Sequence, residues 1–138
     1  MLWSAYGGAK GNNGGNMTFA SSVNILGTEY SIYYLSESAD PLLKTGDMIG
    51  YCEAYTHKIV VGDLSAFSGY SKESAKRKTE IMKETLRHEI VHAFFNESGL
   101  MESSNQYSGA WAHNEELVDW LALQGGKIYK AWKAAGAI

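Results

Sequence analysis

The first half of the chain alternates apolar and polar positions, and the second half groups them at helical spacing. From Val23 to Leu35 the residues are rich in β-branched and aromatic types, with Tyr30, Ile32 and Tyr34 at every second position. This is the period of a strand, and Gly27 marks a bulge or turn within it. Ser36 to Met48 holds the single proline, Pro41, among Asp40, Gly46 and Asp47, and reads as a loop. Ile49–Tyr55 and Lys58–Gly62 are two short strands separated by Thr56-His57, the signature of an antiparallel hairpin. Three such strands give a small antiparallel sheet. The period then lengthens. Ser71 is placed to cap a helix running from Lys72 to about Asn96, with Glu73 in its first turn and Gly99 beyond its end. Its first half, Lys72 to Lys83, is charged and suits a solvated face. Polar residues from Met101 to Gly109 form a loop, a second helix covers Trp111 to Gln124, and Gly125-Gly126 breaks it before a short terminal helix, Lys127 to Ala135. The pattern is that of an α+β domain with two principal helices.

The apolar half of the long helix contains Arg87-His88-Glu89-Ile90-Val91-His92-Ala93, an H-E-x-x-H motif. Residues four apart on a helix lie one above the other, so His88 and His92 present their imidazoles to one point in space. Two neutral imidazoles so placed bind one side of a Zn²⁺ ion, and Glu89 faces the water that such an ion activates. A surface helix with solvated histidines would show the same five residues. Leu86, Ile90, Val91, Ala93, Phe94 and Phe95 argue against that, because a helix apolar nearly all round is buried. Buried without partners, His88, Glu89 and His92 would be costly, and a metal pairs all three at once.

Composition narrows the setting. A chain of 138 residues with 45% hydrophobic residues and a formal net charge of −3 suits one globular domain. No basic patch argues for nucleic acid: Lys76-Arg77-Lys78 is balanced by Glu73 and Glu80. The single cysteine, Cys52, rules out an internal disulfide and reads as a small buried hydrophobe. No apolar run is long enough to span a membrane and the N-terminus lacks a secretory pattern, which together point to a cytoplasmic protein. Residues 1–16 are Gly/Asn-rich without an apolar period and read as a flexible leader or expression tag, leaving 17–138 as the domain. His57 falls in a turn and reads as a surface residue. Trp111, Trp120 and Trp132 have helical neighbours and read as packing residues.

A catalytic zinc takes three protein ligands and one open position. The second helix offers Glu115, its neighbour Glu116 if the helix is rotated by about 100°, and His113 just before it. Val118 and Ala122 share the Glu115 side and are apolar, and Asp119 is the only acidic residue from Leu117 to Leu123. A metzincin pattern is excluded, since Phe95 and Ser98 stand where it needs glycine and a third histidine.

The segment Asn114-Glu115-Glu116-Leu117-Val118-Asp119 resembles the third-ligand segment of thermolysin-like gluzincins. That resemblance places Glu115 as the metal ligand and Asp119, one turn on, as acceptor of a ligand histidine's N–H. The run His88 to Phe94 is similar to SprT-type proteins as well, for which His113 would complete a three-histidine site. With Leu86 to Phe94, Glu97-Ser98-Gly99-Leu100 and the predicted hairpin, the stretch from about Val23 to Tyr129 resembles small phage and prophage zinc metallopeptidases. These are minimal gluzincin-like domains distantly similar to the ImmA/IrrE group. The resemblance implies a zincin-like core with a sheet packed on the active-site helix and an edge strand able to pair with an extended peptide.

The activity so implied is peptide-bond hydrolysis by a Zn²⁺-activated water, with Glu89 as general base and proton carrier to the leaving amine. Tyr107 and His113 are candidates to stabilise the oxyanion. A small open domain has little room for a deep pocket, so a specific protein or peptide substrate is expected. The rival reading is a non-catalytic zinc-stabilised binding module. Glu89 separates the two, because a purely structural site needs no base between its ligands.

Overall fold

Two consecutive residues with left-handed backbone start the sheet. Leu26 and Gly27 have φ of 51° and 97°, the sign pattern of a tight hairpin turn whose twist matches that of the strands it joins. Gly27 is therefore a turn. It divides the long strand pattern into β1 (Phe19–Ile25) and β2 (Thr28–Leu35), paired antiparallel with Ile25 opposite Thr28. The computed structural model describes residues 19–45, 47–103, 112, 114–136 and 138, so the 1–16 leader, Tyr107, Trp111 and His113 lie outside the described residues.

The second hairpin is β3 (Gly50–Glu53) and β4 (Lys58–Gly62), with Glu53 opposite Lys58 and their side chains 3.2 Å apart. The strand order is β1-β2-β4-β3, and β2 runs parallel to β4. The sheet is thus mixed, where three antiparallel strands were expected. Each hairpin is written in local residues, but their junction is not. After β2 the chain crosses one face and returns at the far edge, so the inner strand of the second hairpin comes back alongside β2 in the same direction. The crossing includes α1 (Pro41–Thr45) in the stretch expected to be a loop. Asp40 accepts the Leu42 N–H at 2.8 Å and proline opens the helix, a pairing of cap and N1 proline that favours a helical turn. The second oxygen of Asp40 accepts the Tyr51 hydroxyl at 2.6 Å, tying α1 to β3.

The two-residue period decides which side chains meet which layer. Tyr30, Ile32, Cys52, Ile59 and Val61 pack under α2 (Ala75–Glu97) against Ala93, Leu86 and Ile90. The opposite face carries Leu35, Tyr51 and Val60, covered by Leu43 of α1 and by Leu64 and Phe67. Helix α2 is capped by Ser74, whose Oγ accepts the Arg77 N–H at 3.2 Å. The cap is not Ser71, because residues 68–70 form a 3₁₀ turn that Ser71 closes through its bond to Ser68 O. Glu73 accordingly precedes the helix and pairs with Arg77 at 2.9 Å. Gly99, with φ 78°, ends the segment in the left-handed conformation that suits glycine after a helix.

After α3 (Leu100–Ser103), helix α4 runs from Glu115 to Ala134 without interruption. Its start, four residues later than expected, is set by Asn114, whose Oδ1 accepts the Leu117 N–H at 2.9 Å. Gly125-Gly126 does not break it. Glycine keeps its backbone donor and costs a helix only about 1 kcal/mol against alanine, while Leu117, Val118 and Leu121 hold the apolar stripe on α2. Trp120, expected to be a packing residue, is 54% exposed. No helix among the described residues is long and apolar enough to cross a membrane.

Glu97, at the end of α2, clamps both hairpins. It accepts the Tyr30 hydroxyl at 2.8 Å and the Thr28 hydroxyl at 2.9 Å, and His57 Nε2 lies 3.7 Å away, its ring 5.2 Å from that of Tyr30. His57 is exposed, as expected, and engaged as well. The Tyr30 bond, chiefly, holds the Glu97 carboxyl below its ordinary 4.5, with Thr28 and His57 adding to it and burial opposing.

A depressed carboxyl stabilises the fold above its unfolded value and loses that contribution as the pH falls through the folded one. Glu97→Ala should cost about 2 kcal/mol at neutral pH, and urea denaturation should show this deficit shrinking once the pH drops below the carboxylate range. At Gly125 and Gly126 an added Cβ would meet nothing within 4 Å. Gly125→Ala with Gly126→Ala should therefore raise the stability of α4 by about 1 kcal/mol or more in total, read from helical ellipticity in the same titration.

Candidate metal centre

Helix α2 lays one face on the sheet, and that face carries Thr85, His88, Glu89, His92 and Ala93, each at most 1% exposed. The four-residue spacing brings His88 Nε2 and His92 Nε2 to 3.0 Å. Helix α4 crosses beside them. Its capped first turn delivers Glu115 Oε2 to 3.2 Å from His88 Nε2 and 3.5 Å from His92 Nε2. One turn later Asp119 Oδ1 stands 2.6 Å from His88 Nδ1. A carboxylate accepts only, so Nδ1 donates to Asp119, which fixes the ring with Nε2 directed toward Glu115 and His92.

Three donor atoms thus converge: two imidazole nitrogens and a carboxylate oxygen, all within 4.8 Å of one another. Three vertices of a tetrahedron with metal–ligand bonds of 2.0–2.1 Å are roughly 3.3 Å apart, and the observed separations of 3.0, 3.2 and 3.5 Å bracket that value. Among the described residues, Glu89 Oε2, His92 Nδ1 and Glu115 Oε2 are buried without a hydrogen-bond partner. Unpaired buried polar atoms are costly. A cation at the meeting point of His88 Nε2, His92 Nε2 and Glu115 Oε2 would satisfy the Glu115 oxygen, so the group His88, His92 and Glu115 can hold a metal ion.

The electrostatics agree with a site built for positive charge. Burial pushes the Glu89 carboxyl well above its ordinary range, and the charges of Glu115 and Asp119 push it further. Burial also pushes Glu115 up, but the facing imidazoles of His88 and His92 outweigh it and hold that carboxyl at about 2. The two α4 carboxylates are partly open, with side chains 36% and 47% exposed for Glu115 and Asp119, whereas the histidines are sealed. No protein-family model matches the chain, and no curated protein or solved structure matches it.

Of the expected site residues, His88, Glu89, His92, Glu115 and Asp119 come together here. Glu116 is exposed on α4, and His113 and Tyr107 lie outside the described residues. Cys52 is buried and accepts a weak bond from Asn96 Nδ2 at 3.9 Å. Its thiol is pushed up, by burial first and then by the nearby Glu89 charge.

Gly50 is a residue that motif reading passes over. At the start of β3 it stands against α2, and a Cβ there would lie 2.5 Å from Thr85 Cγ2, 2.9 Å from Val60 O and 3.5 Å from Glu89 Oε1. Glycine inside a strand pattern is the available signal, since it marks a close backbone approach. Gly50→Ala should destabilise the protein by about 1–3 kcal/mol through overpacking, measured by urea denaturation. A stability equal to that of the wild type would show that α2 and β3 pack more loosely than these distances require.

Proposed function

We propose that the protein is a zinc-dependent metallopeptidase of minimal gluzincin-like type, with His88, His92 and Glu115 as ligands and Glu89 as general base. The observation that carries this reading is the position of Glu89. It is buried between the two ligand histidines in sequence, with one carboxylate oxygen that no described residue occupies. A site whose only task was structural would have no use for a sealed, unpaired carboxylate there.

Two nitrogens and one oxygen are a donor set suited to zinc, and three ligands leave a fourth position open. A bound zinc supplies the positive charge that makes water nucleophilic near neutral pH. The remaining work falls to the protein's own groups. Glu89 takes the proton as water attacks the peptide carbonyl and passes it to the departing amine. Asp119 fixes the tautomer and ring orientation of His88. Cytoplasmic placement and an origin among phage and prophage metallopeptidases belong to the same reading and rest on the sequence.

The substrate enters along β3. This strand is one of the two edges of the sheet, and a Cβ on its first residue would lie 3.5 Å from Glu89 Oε1. An extended segment of a protein or peptide pairing with that edge would pass the base and the metal ligands.

Glu89→Gln tests the assignment. The variant should retain metal, as measured by elemental mass spectrometry, and lose about 10²- to 10⁴-fold in hydrolysis of a defined peptide library read by mass spectrometry. Glu115→Ala in the same series should lose the metal itself. Wild-type protein that cleaves no better than Glu89→Gln would overturn the peptidase reading.

A further inference from the structure

We propose that the outer face of α4 is a self-association surface, on which a second copy of this chain packs its own α4 antiparallel about a two-fold axis. The inference does not depend on the metal centre or on the activity proposed for it.

At helical spacing Glu116, Trp120, Leu123, Lys127 and Lys130 fall within an arc of about 80° on α4. The arc lies across the helix from Leu117, Val118 and Leu121, which pack against Val91 and Phe95 of α2. All five residues are exposed, Trp120 by 54% and Leu123 by 50%. Among the described residues, none of the three charges forms an ion pair. An indole half in water beside a leucine, with charges at both ends, has the make-up of a contact surface: an apolar centre inside a polar rim. The intervals along the arc alternate between four and three residues, the spacing of a seam that packs on another helix.

The order of the charges selects the occupant. The seam is acidic at its N-terminal end, through Glu116, and basic at its C-terminal end, through Lys127 and Lys130. A parallel copy would set Glu116 on Glu116 and Lys127 on Lys127, and like charges in register repel. An antiparallel copy with the axis between positions 121 and 122 removes both conflicts. Trp120 of one copy then lies against Leu123 of the other, and Glu116 of one against Lys127 of the other. Two-fold symmetry makes each of these contacts twice. From Glu116 to Lys127 the seam is only about 17 Å long. A contact of that size belongs to the small, reversible class, with a dissociation constant of roughly tens of micromolar.

Sedimentation equilibrium of the full chain at low ionic strength tests this. Wild type should pass from monomer to dimer over roughly tens of micromolar. Leu123→Glu should raise the dissociation constant by about tenfold or more, because it carries a charge into the apolar centre. Glu116→Lys and Lys127→Glu, each alone, place like charges at both ends and should each weaken the dimer by about tenfold. Combined, they exchange the two ends and should restore association to within about threefold of wild type. Far-ultraviolet circular dichroism of every variant keeps loss of folding apart from loss of association, since these side chains are exposed and their replacement should leave the helix intact. A wild-type chain still monomeric at about 1 mM overturns the surface. So does a dimer indifferent to Leu123→Glu, which would place the contact elsewhere. A double variant as weak as the single ones overturns the antiparallel pairing. A full chain that stays monomeric but dimerises once residues 1–16 are deleted would give this face to the chain's own N-terminal segment, and the proposal falls.

Discussion

The close approach of α2 to the sheet is the constraint on which the rest depends. Thr85, His88, Glu89 and His92 share one helix face with Ala93, and that face is driven inward by the apolar residues around it. Hydrophobic burial is not selective. It takes the polar residues with it, and each must then find a counterpart or stay expensive. Gly50 sets how tight the approach can be, because β3 comes close enough to α2 that any Cβ there would strike Thr85. A looser contact would admit water to Glu89 and relieve its desolvation. The sealed environment of the carboxylate follows directly from a missing side chain on the neighbouring strand.

The site was more legible in the sequence than the fold that holds it. His88, Glu89 and His92 could be read as a unit because helical periodicity converts a spacing of four into proximity. Glu115 and Asp119 were singled out by the resemblance of Asn114 to Asp119 to a gluzincin third-ligand segment, since spacing alone left Glu116 and His113 open as well. The geometry brings these five residues together. Expectation and structure part where the decisive contact is distant in the chain or several weak local signals compete. The parallel pairing of β2 with β4 depends on where the chain goes after Leu35, which no local period encodes. Ser71 and Ser74 are equally good caps by residue type, and the 3₁₀ turn at 68–70 decides between them. Asp40-Pro41 did carry a local signal for α1, masked by the usual reading of proline as a breaker. At Gly125-Gly126 tertiary contacts of the apolar stripe outweigh a modest propensity cost.

Two kinds of helix meet at the centre. Helix α2 is anchored by the main core and holds its histidines rigidly, while α4 lies at the periphery and brings carboxylates that remain partly in water. The asymmetry suits the chemistry of the donors. Imidazoles bind a metal as neutral groups and tolerate burial, whereas an ionised carboxylate is much cheaper to keep near solvent. Glu89 is the exception, a carboxylate on the buried helix, and its raised affinity for a proton is the consequence. On the proposed reading, a base that accepts a proton from water is better served by that environment than by the solvated one of Glu115. The division of the site between a core helix and a peripheral one would then divide its chemical roles as well. The group proposed to gain and lose a proton sits in the core, and the carboxylates proposed to stay charged sit at the rim.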